Sequence, residues 1–102
     1  MRRLEGVYVK TVRQGRDVLV AVCDAEILGK TLEGGRVPFT VSERFYRGTL
    51  CELAEALEAM GKASIVNMVG KRIVEAAIEC NLIQEAGIIY IGDVPHAQIV
   101  HL

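Results

Sequence analysis

The stretch Val18-Leu19-Val20-Ala21-Val22-Cys23 decides the fold. Six apolar residues in a row, without alternation, are typical of a strand that is buried on both faces. Residues 7–14 precede it and mix β-branched and basic residues at a period of two, which indicates a strand with one exposed face. Gln14-Gly15-Arg16-Asp17 lies between the two as a turn. The sequence therefore predicts a β-hairpin whose second strand lies inside a sheet.

Further strands are predicted on both sides of the middle of the chain. Residues 37–42 alternate apolar and polar side chains. Because proline cannot donate to a strand ladder, this strand either lies at an edge or begins at Pro38. Residues 88–91 and 96–102 flank a turn at residues 92–95, so they predict a terminal hairpin. Residues 24–35 are interpreted as a loop.

The middle of the chain predicts two helices. Thr49 and Glu52 have the spacing of a capping box, and the helix they begin ends at Gly61. A second helix is expected to begin at Ser64 or Asn67 and to run to Cys80. Its interior glycine, Gly70, costs about 1 kcal/mol relative to alanine. Either two elements pack closely at Gly70, or the helix begins at Asn67.

Three strands, two helices and two strands, in that order, predict an α+β fold. The expected architecture is a two-layer sandwich, with a mixed or antiparallel sheet of about five strands and two helices on one face. The 102 residues contain no internal repeat and no linker, so residues 1–102 are expected to form a single globular domain.

The composition excludes several classes of protein. With 51% apolar and 25% charged residues, the chain is not disordered, and no apolar run is long enough to cross a membrane. Arg2 and Arg3 are not followed by the apolar segment of a signal peptide. We therefore expect a mature chain that starts at Met1 and is cytoplasmic.

Cysteine usage gives no sign of a metal or a disulfide framework. Cys23, Cys51 and Cys80 are odd in number, widely spaced and without a neighbouring histidine. Each lies in an apolar stretch, so we expect buried free thiols. No metal site and no cofactor are predicted.

The charge distribution is uneven although the formal net charge is only −1. Residues 1–50 hold nine basic and six acidic residues, and residues 51–102 hold three basic and seven acidic ones. These charges are explained by solvated surfaces, or by a basic sheet face that contacts phosphate.

Three polar stretches are candidates for chemistry. Gly29-Lys30-Thr31 resembles the end of a phosphate-binding loop, but Asp24 stands where such a loop needs its first glycine. A P-loop nucleoside triphosphatase is therefore not expected. Residues 67–72 fit an anion site at a helix N-terminus, or a close-packed glycine with Lys71 and Arg72 paired to glutamates of the same helix. Residues 93–98 place His96 beside Asp93, as an acid–base pair or as parts of a turn.

The whole chain resembles an archaeal family known as domain of unknown function 424. The resemblance lies in residues 28–31, residues 67–70, residues 74–78 and, above all, Tyr90-Ile91-Gly92 followed by Val94-Pro95-His96-Ala97-Gln98. It implies an archaeal source and a two-layer α+β fold. It implies no activity, cofactor or catalytic residue.

Two classes of function remain open at the level of the sequence. The first is a small binding or interaction domain that contacts RNA, a ribonucleoprotein or another protein through its basic first half, with a homo-oligomer as a further option and no membrane partner. The second is a small enzyme, or a protein that binds an anionic or phosphate-bearing ligand, with one pocket around Asp24, Lys30, Asn67 and His96. Catalytic residues are not assigned. The candidate ligand-binding residues are Asp24, Lys30, Asn67, Gly70, His96 and Gln98.

Overall fold

The computed structural model describes residues 6–101. Its elements in chain order are β1 (Val7–Gln14), β2 (Asp17–Asp24), β3 (Thr31–Leu32), β4 (Phe39–Thr40), α1 (Glu43–Tyr46), β5 (Thr49–Cys51), α2 (Leu53–Gly61), β6 (Ile65–Val69), α3 (Lys71–Glu79), β7 (Ile89–Ile91) and β8 (Val94–Val100). Short 3₁₀ turns lie at Ala25–Ile27 and Glu85–Gly87.

Six of the strands form one mixed sheet in the order β5-β1-β2-β6-β8-β7. The β2/β6 pair is parallel, and the other neighbours are antiparallel. The predicted hairpin of β1 and β2 and the terminal hairpin of β7 and β8 are both confirmed, and β2 lies inside the sheet. The α+β class is confirmed, with six strands in the main sheet.

One face of the sheet is covered by α2 and α3, as the two-layer prediction requires. The helices and strands share an apolar core in which Met60, Met68 and Ile73 are fully buried. The strand residues of this core alternate with residues that point to the other face. Burial of this apolar area supplies the main driving force for the two-layer packing.

The other face of the sheet is covered over only part of its area. We call residues 25–48 the covering segment; it carries the small β3/β4 sheet and α1. Its Val41 and Tyr46 are buried against Cys23 and Val69 of the main sheet. The opposite ends of the strands on this face remain uncovered by other described residues, which creates the surface analysed below.

The helix expected to begin at Ser64 or Asn67 is shorter, because residues 65–69 form strand β6. β6 lies between β2 and β8 and is largely buried. Its sequence therefore lacks the regular alternation of polar and apolar residues that would identify a strand. A short apolar run of this kind is compatible with either a helix or a strand. The helix itself runs only from Lys71 to Glu79, and the predicted left-handed Asn81 has a φ of 61°.

The predicted capping box at Thr49 and Glu52 is wrong. Thr49 lies in the edge strand β5, and Glu52 is the N-cap of α2. The capping box is formed one turn later, because the Glu55 side chain accepts from the Glu52 N–H at 3.1 Å. The predicted end at Gly61 is confirmed.

Three smaller expectations need correction. The strand predicted at residues 37–42 is reduced to β4, which pairs with β3 outside the main sheet. The predicted loop at residues 24–35 contains a 3₁₀ turn and β3. All three cysteines are free thiols, but only Cys23 is buried, whereas Cys51 is half-buried and Cys80 is exposed.

Among the described helices, none combines the length and the apolarity that crossing a membrane requires.

A buried carboxylate joins the sheet to α3. Asp24, at the end of β2, is only 2% exposed. Its Oδ2 accepts from the Arg72 N–H at 2.9 Å, and its Oδ1 accepts from the Ile73 N–H at 3.1 Å. These amides belong to the first turn of α3, which no residue of the helix itself can satisfy. Asp24 therefore caps α3 from a distant strand.

Gly70 provides the space for this cap. It is the N-cap of α3 with a φ of +127°, a conformation that L side chains rarely adopt. A Cβ at this position would lie 2.6 and 2.7 Å from the carboxylate oxygens of Asp24. The close packing considered for Gly70 is thus present, and the helix does not begin at Asn67.

Arg72 extends the same junction. Its guanidinium donates to the Gly6 carbonyl at 3.1 Å and pairs with the Glu26 carboxylate. Its Nε lies 3.9 Å from Asp24 Oδ2. The expected pairing of Arg72 with glutamates of its own helix is therefore replaced by contacts that join α3 to residues preceding β1 and following β2.

Replacing Gly70 by alanine is expected to destabilise the protein by about 2 kcal/mol or more, because the new Cβ meets the Asp24 carboxylate and the φ is strained. Gly61→Ala is the matched control, since a Cβ there would meet nothing within 4 Å. Urea unfolding curves measure both. Equal midpoints for the two variants would contradict the close-packing explanation.

Candidate functional site

The six candidate residues divide between the two faces of the sheet. Ala21 pairs in register with Asn67, so Asn67 lies on the face opposite Asp24, which is three residues further along β2. Asn67 and Gln98 are paired across β6 and β8, and His96 lies two residues from Gln98 on the same face. The structure thus brings Asn67, Gln98 and His96 to one face, and Asp24 and Gly70 to the other.

Asp24 has no accessible carboxylate for a shared pocket, because both of its oxygens accept amides of α3. Burial raises its pKa, while the two amide hydrogen bonds and the Arg72 guanidinium act in the opposite direction. The anion site considered at residues 67–72 is therefore already occupied by a carboxylate of the chain itself. A single pocket formed by Asp24, Lys30, Asn67 and His96 is not present.

Lys30 lies in the covering segment and is exposed. Its N–H donates to the Ile27 carbonyl at 3.0 Å, and its own carbonyl accepts from the Val41 N–H at 2.8 Å. Its backbone thus closes the covering segment on itself. Within the described part of the chain, no side-chain hydrogen bond or ion pair joins Lys30 to the other candidates.

His96 holds the covering segment against the sheet. Its ring is half-buried and meets the ring of Phe39 edge to face, with centroids 5.4 Å apart. Burial lowers its pKa from the ordinary 6.5, because desolvation penalises the charged imidazolium. His96 is therefore a neutral packing partner at neutral pH in this environment.

The uncovered part of the face beside His96 consists of two rows of side chains that cross four strands. We call these eight residues the open face. The polar row is Lys10, Ala21, Asn67 and Gln98, and the apolar row is Val12, Leu19, Ile65 and Val100.

A depression of about 200 Å³ lies on the open face beside α1. Ala21 is nearly buried within it, and its small side chain leaves space between Lys10 on β1 and Asn67 on β6. Arg44 and Phe45 of α1 form part of its wall. Among residues 6–101, its lining includes two cations, Lys10 and Arg44, and no carboxylate.

Local structure holds α1 in place beside this depression. Ser42 caps the helix by accepting from the Phe45 N–H at 3.3 Å, and the Lys10 ammonium donates to the Arg44 carbonyl. The Phe45 ring meets the buried Tyr46 ring edge to face, with centroids 4.8 Å apart. Phe45 itself is 46% exposed, so it is a supported aromatic surface.

The amide pair lies on the other side of the depression. The Gln98 amide donates to Asn67 Oδ1 at 3.3 Å. This bond leaves the Asn67 NH₂ and the Gln98 carbonyl oxygen free to donate and to accept. The pair can therefore recognise a planar group that carries both an acceptor and a donor.

Sequence reasoning found Asn67 and Gln98 but missed Lys10, Arg44 and Phe45 as parts of one site. The sequence feature that could have indicated Phe45 is Ser42 followed by a short helical turn. Phe45 and Tyr46 are adjacent in this turn, so that one ring faces inward and the other outward. A four-residue helix is too short to produce a readable period.

The lowered pKa of His96 predicts how stability depends on pH. Below the ordinary pKa of 6.5, the unfolded state binds more protons at this site than the folded state does. The stabilisation that the neutral His96 ring contributes to the folded state is therefore complete above pH 6.5. It is lost as the pH falls from 6.5, the pKa in the unfolded state, through the lower pKa of the folded state.

His96→Gln is expected to remove this dependence. The difference in unfolding free energy between the wild type and this variant should be larger at about pH 7.5 than at about pH 5. Urea titrations at both pH values measure it, with His101→Gln, at an exposed position after β8, as the control. A difference that does not vary with pH would contradict the role of desolvation at His96.

Comparisons with known proteins agree with this architecture. The fold is similar to that in the crystal structure of an uncharacterised conserved protein from Methanopyrus kandleri, with a TM-score of 0.77 and 27% identity over 92% of this chain and 90% of that one. No curated protein matches the sequence. The model of the family described as protein of unknown function (DUF424) matches residues 12–102, a range that includes every open-face residue except Lys10. The chain belongs to the DUF424 family, which confirms the resemblance seen in its sequence.

Proposed function

We propose that this protein is a binding domain that holds a short single-stranded segment of RNA on the open face. The observation that carries the proposal is the arrangement around the depression. The cations of Lys10 and Arg44 line it, and so does Asn67, whose amide partner Gln98 lies outside the lining. Apolar side chains and the exposed Phe45 ring complete the lining. These are the groups that contact phosphates, base edges and base faces, respectively.

The spacing of the strands fits one nucleotide. Lys10 and Asn67 are two strands apart, which corresponds to roughly 10 Å at the usual strand spacing. A phosphate beside Lys10 and Arg44 would allow its base to extend over Ala21 toward the amides of Asn67 and Gln98. The small side chain of Ala21 is what leaves space for a planar ring.

Phe45 supplies a stacking surface beside this path. Its ring is supported by Tyr46, so little side-chain freedom is lost when a base stacks on it. The apolar row extends the surface to a neighbouring base, since Val12 and Val100 are 43% and 58% exposed. Base stacking tolerates any sequence, because every base has a π-face.

Single-stranded RNA fits this surface better than a duplex does. The donors and acceptors of the amide pair lie on a flat sheet, where they can reach only bases that are not already paired. With a formal net charge of −1, the protein offers local rather than general attraction to a polyanion. Affinity should therefore depend mainly on base contacts, with a shallow dependence on salt.

Phe45→Ala is expected to weaken binding of a fluorescent mixed-sequence oligoribonucleotide about tenfold, because one stacking contact is lost. Val37→Ala removes another exposed apolar side chain of the covering segment, outside the lining of the depression, and is the control. Fluorescence anisotropy at low salt measures both. Absence of RNA binding by the wild type, or equal losses in the two variants, would overturn the proposal.

The cationic side of the site has a separate test. Arg44→Gln should weaken binding and reduce the slope of log affinity against log salt by about one, because one phosphate contact is lost. Arg36→Gln changes another exposed arginine of the covering segment that does not line the depression. A salt slope that is lowered equally by both substitutions would indicate general attraction and would exclude a phosphate contact at Arg44.

A further inference from the structure

The depression on the open face is lined by hydrogen-bond donors. Within the part of the chain that the structure describes, its polar side chains are those of Lys10, Arg44 and Asn67. Lysine and arginine only donate, and asparagine offers an NH₂ group and one carbonyl oxygen. The Asn67 carbonyl oxygen accepts from the Gln98 amide at 3.3 Å. A ligand in the depression is therefore met mainly by N–H groups, so it has to supply the acceptors.

The bond between the two amides also sets the orientation of Asn67. Its strand, β6, lies between β2 and β8, and Gln98 belongs to β8. The oxygen and the nitrogen of a carboxamide diverge from one carbon, so an oxygen held toward β8 leaves the NH₂ on the side of β2. The partner of Asn67 on β2 is Ala21, the small residue of the depression. The Asn67 NH₂ thus borders the space above Ala21.

A nucleobase that reaches Asn67 presents one end of its ring to this NH₂. In the arrangement proposed above, the phosphate lies beside Lys10 and Arg44 and the base extends over Ala21, which all line the depression. The leading group of the base is then the ring substituent that lies farthest from the sugar. This substituent is a carbonyl oxygen in uracil (O4) and guanine (O6), and an amino group in cytosine (N4) and adenine (N6). The Asn67 NH₂ can donate to the oxygen, whereas an amino group would meet it donor to donor.

We infer that Asn67 makes the open face select uracil and guanine over cytosine and adenine, an inference that rests on the RNA-binding function proposed above. The acceptor that could satisfy an amino group is the Gln98 carbonyl oxygen, but Gln98 lies outside the lining, one strand beyond Asn67. At the usual strand spacing, this is about 5 Å farther from the cations. An amino group held at Asn67 would lose water without gaining an acceptor, which is how a hydrogen-bonding site rejects an analogue.

Fluorescence anisotropy with labelled oligouridine and oligocytidine of equal length tests this selection. The two probes carry the same charge and the same size of ring, and they differ in the edge that Asn67 would contact. The wild-type protein is expected to bind oligouridine about tenfold more tightly, because that is the usual effect of leaving one polar group without its partner.

Two variants of Asn67 change the donor in different ways. Asn67→Ala removes it, so the ratio of the two affinities should fall to about one. Asn67→Asp keeps an oxygen for the Gln98 amide but replaces the NH₂ by an acceptor, so the ratio should shift in favour of oligocytidine. Asn81→Asp is the matched control, because it makes the same substitution at an exposed position after α3, outside the open face, and should keep the wild-type ratio.

The outcomes separate base selection from RNA binding. A preference for oligouridine that Asn67→Ala removes and Asn81→Asp keeps supports the inference. Equal or tighter binding of oligocytidine by the wild type, or a preference that folded Asn67 variants retain, overturns the inference and leaves the binding function in place. Absence of binding to both probes overturns both. If circular dichroism shows that one Asn67 variant does not fold, the other provides the comparison, and the wild-type ratio needs no variant.

Discussion

A carboxylate moved out of water destabilises a fold by several kcal/mol unless it is compensated, and Asp24, at the end of β2, is only 2% exposed. Its compensation comes from the two free amides of α3, and each such bond to a charged group contributes about 1.5–3 kcal/mol. The contact requires that β2 end beside the beginning of α3, and that no side chain lie at Gly70. One interaction thus fixes the position of a helix against a strand 48 residues earlier in the chain.

This junction also occupies the N-terminus of α3. The α3 N-terminus, which in many proteins binds a ligand anion, is here satisfied internally. Arg72 adds contacts to Gly6 and Glu26, so α3 is also joined to the residues that precede β1 and to those that follow β2. The depression beside α1 lies on the other face, where the covering segment ends and leaves the strands uncovered.

The parts of the fold that the sequence predicts are those with a local signal. Residues 18–23 form a strand inside the sheet because their apolar run is unbroken. The turns of the two hairpins, at Gly15 and Gly92, have the positive φ values that glycine permits. β6 was missed because Ile65 to Val69 has the same unbroken character, and only its neighbours in the sheet make it a strand. The site follows the same rule. Asn67 and Gln98 stand out as amides among apolar residues, whereas the position of Phe45 depends on tertiary contacts of its two neighbours, the bond from Lys10 to the Arg44 carbonyl and the burial of Tyr46.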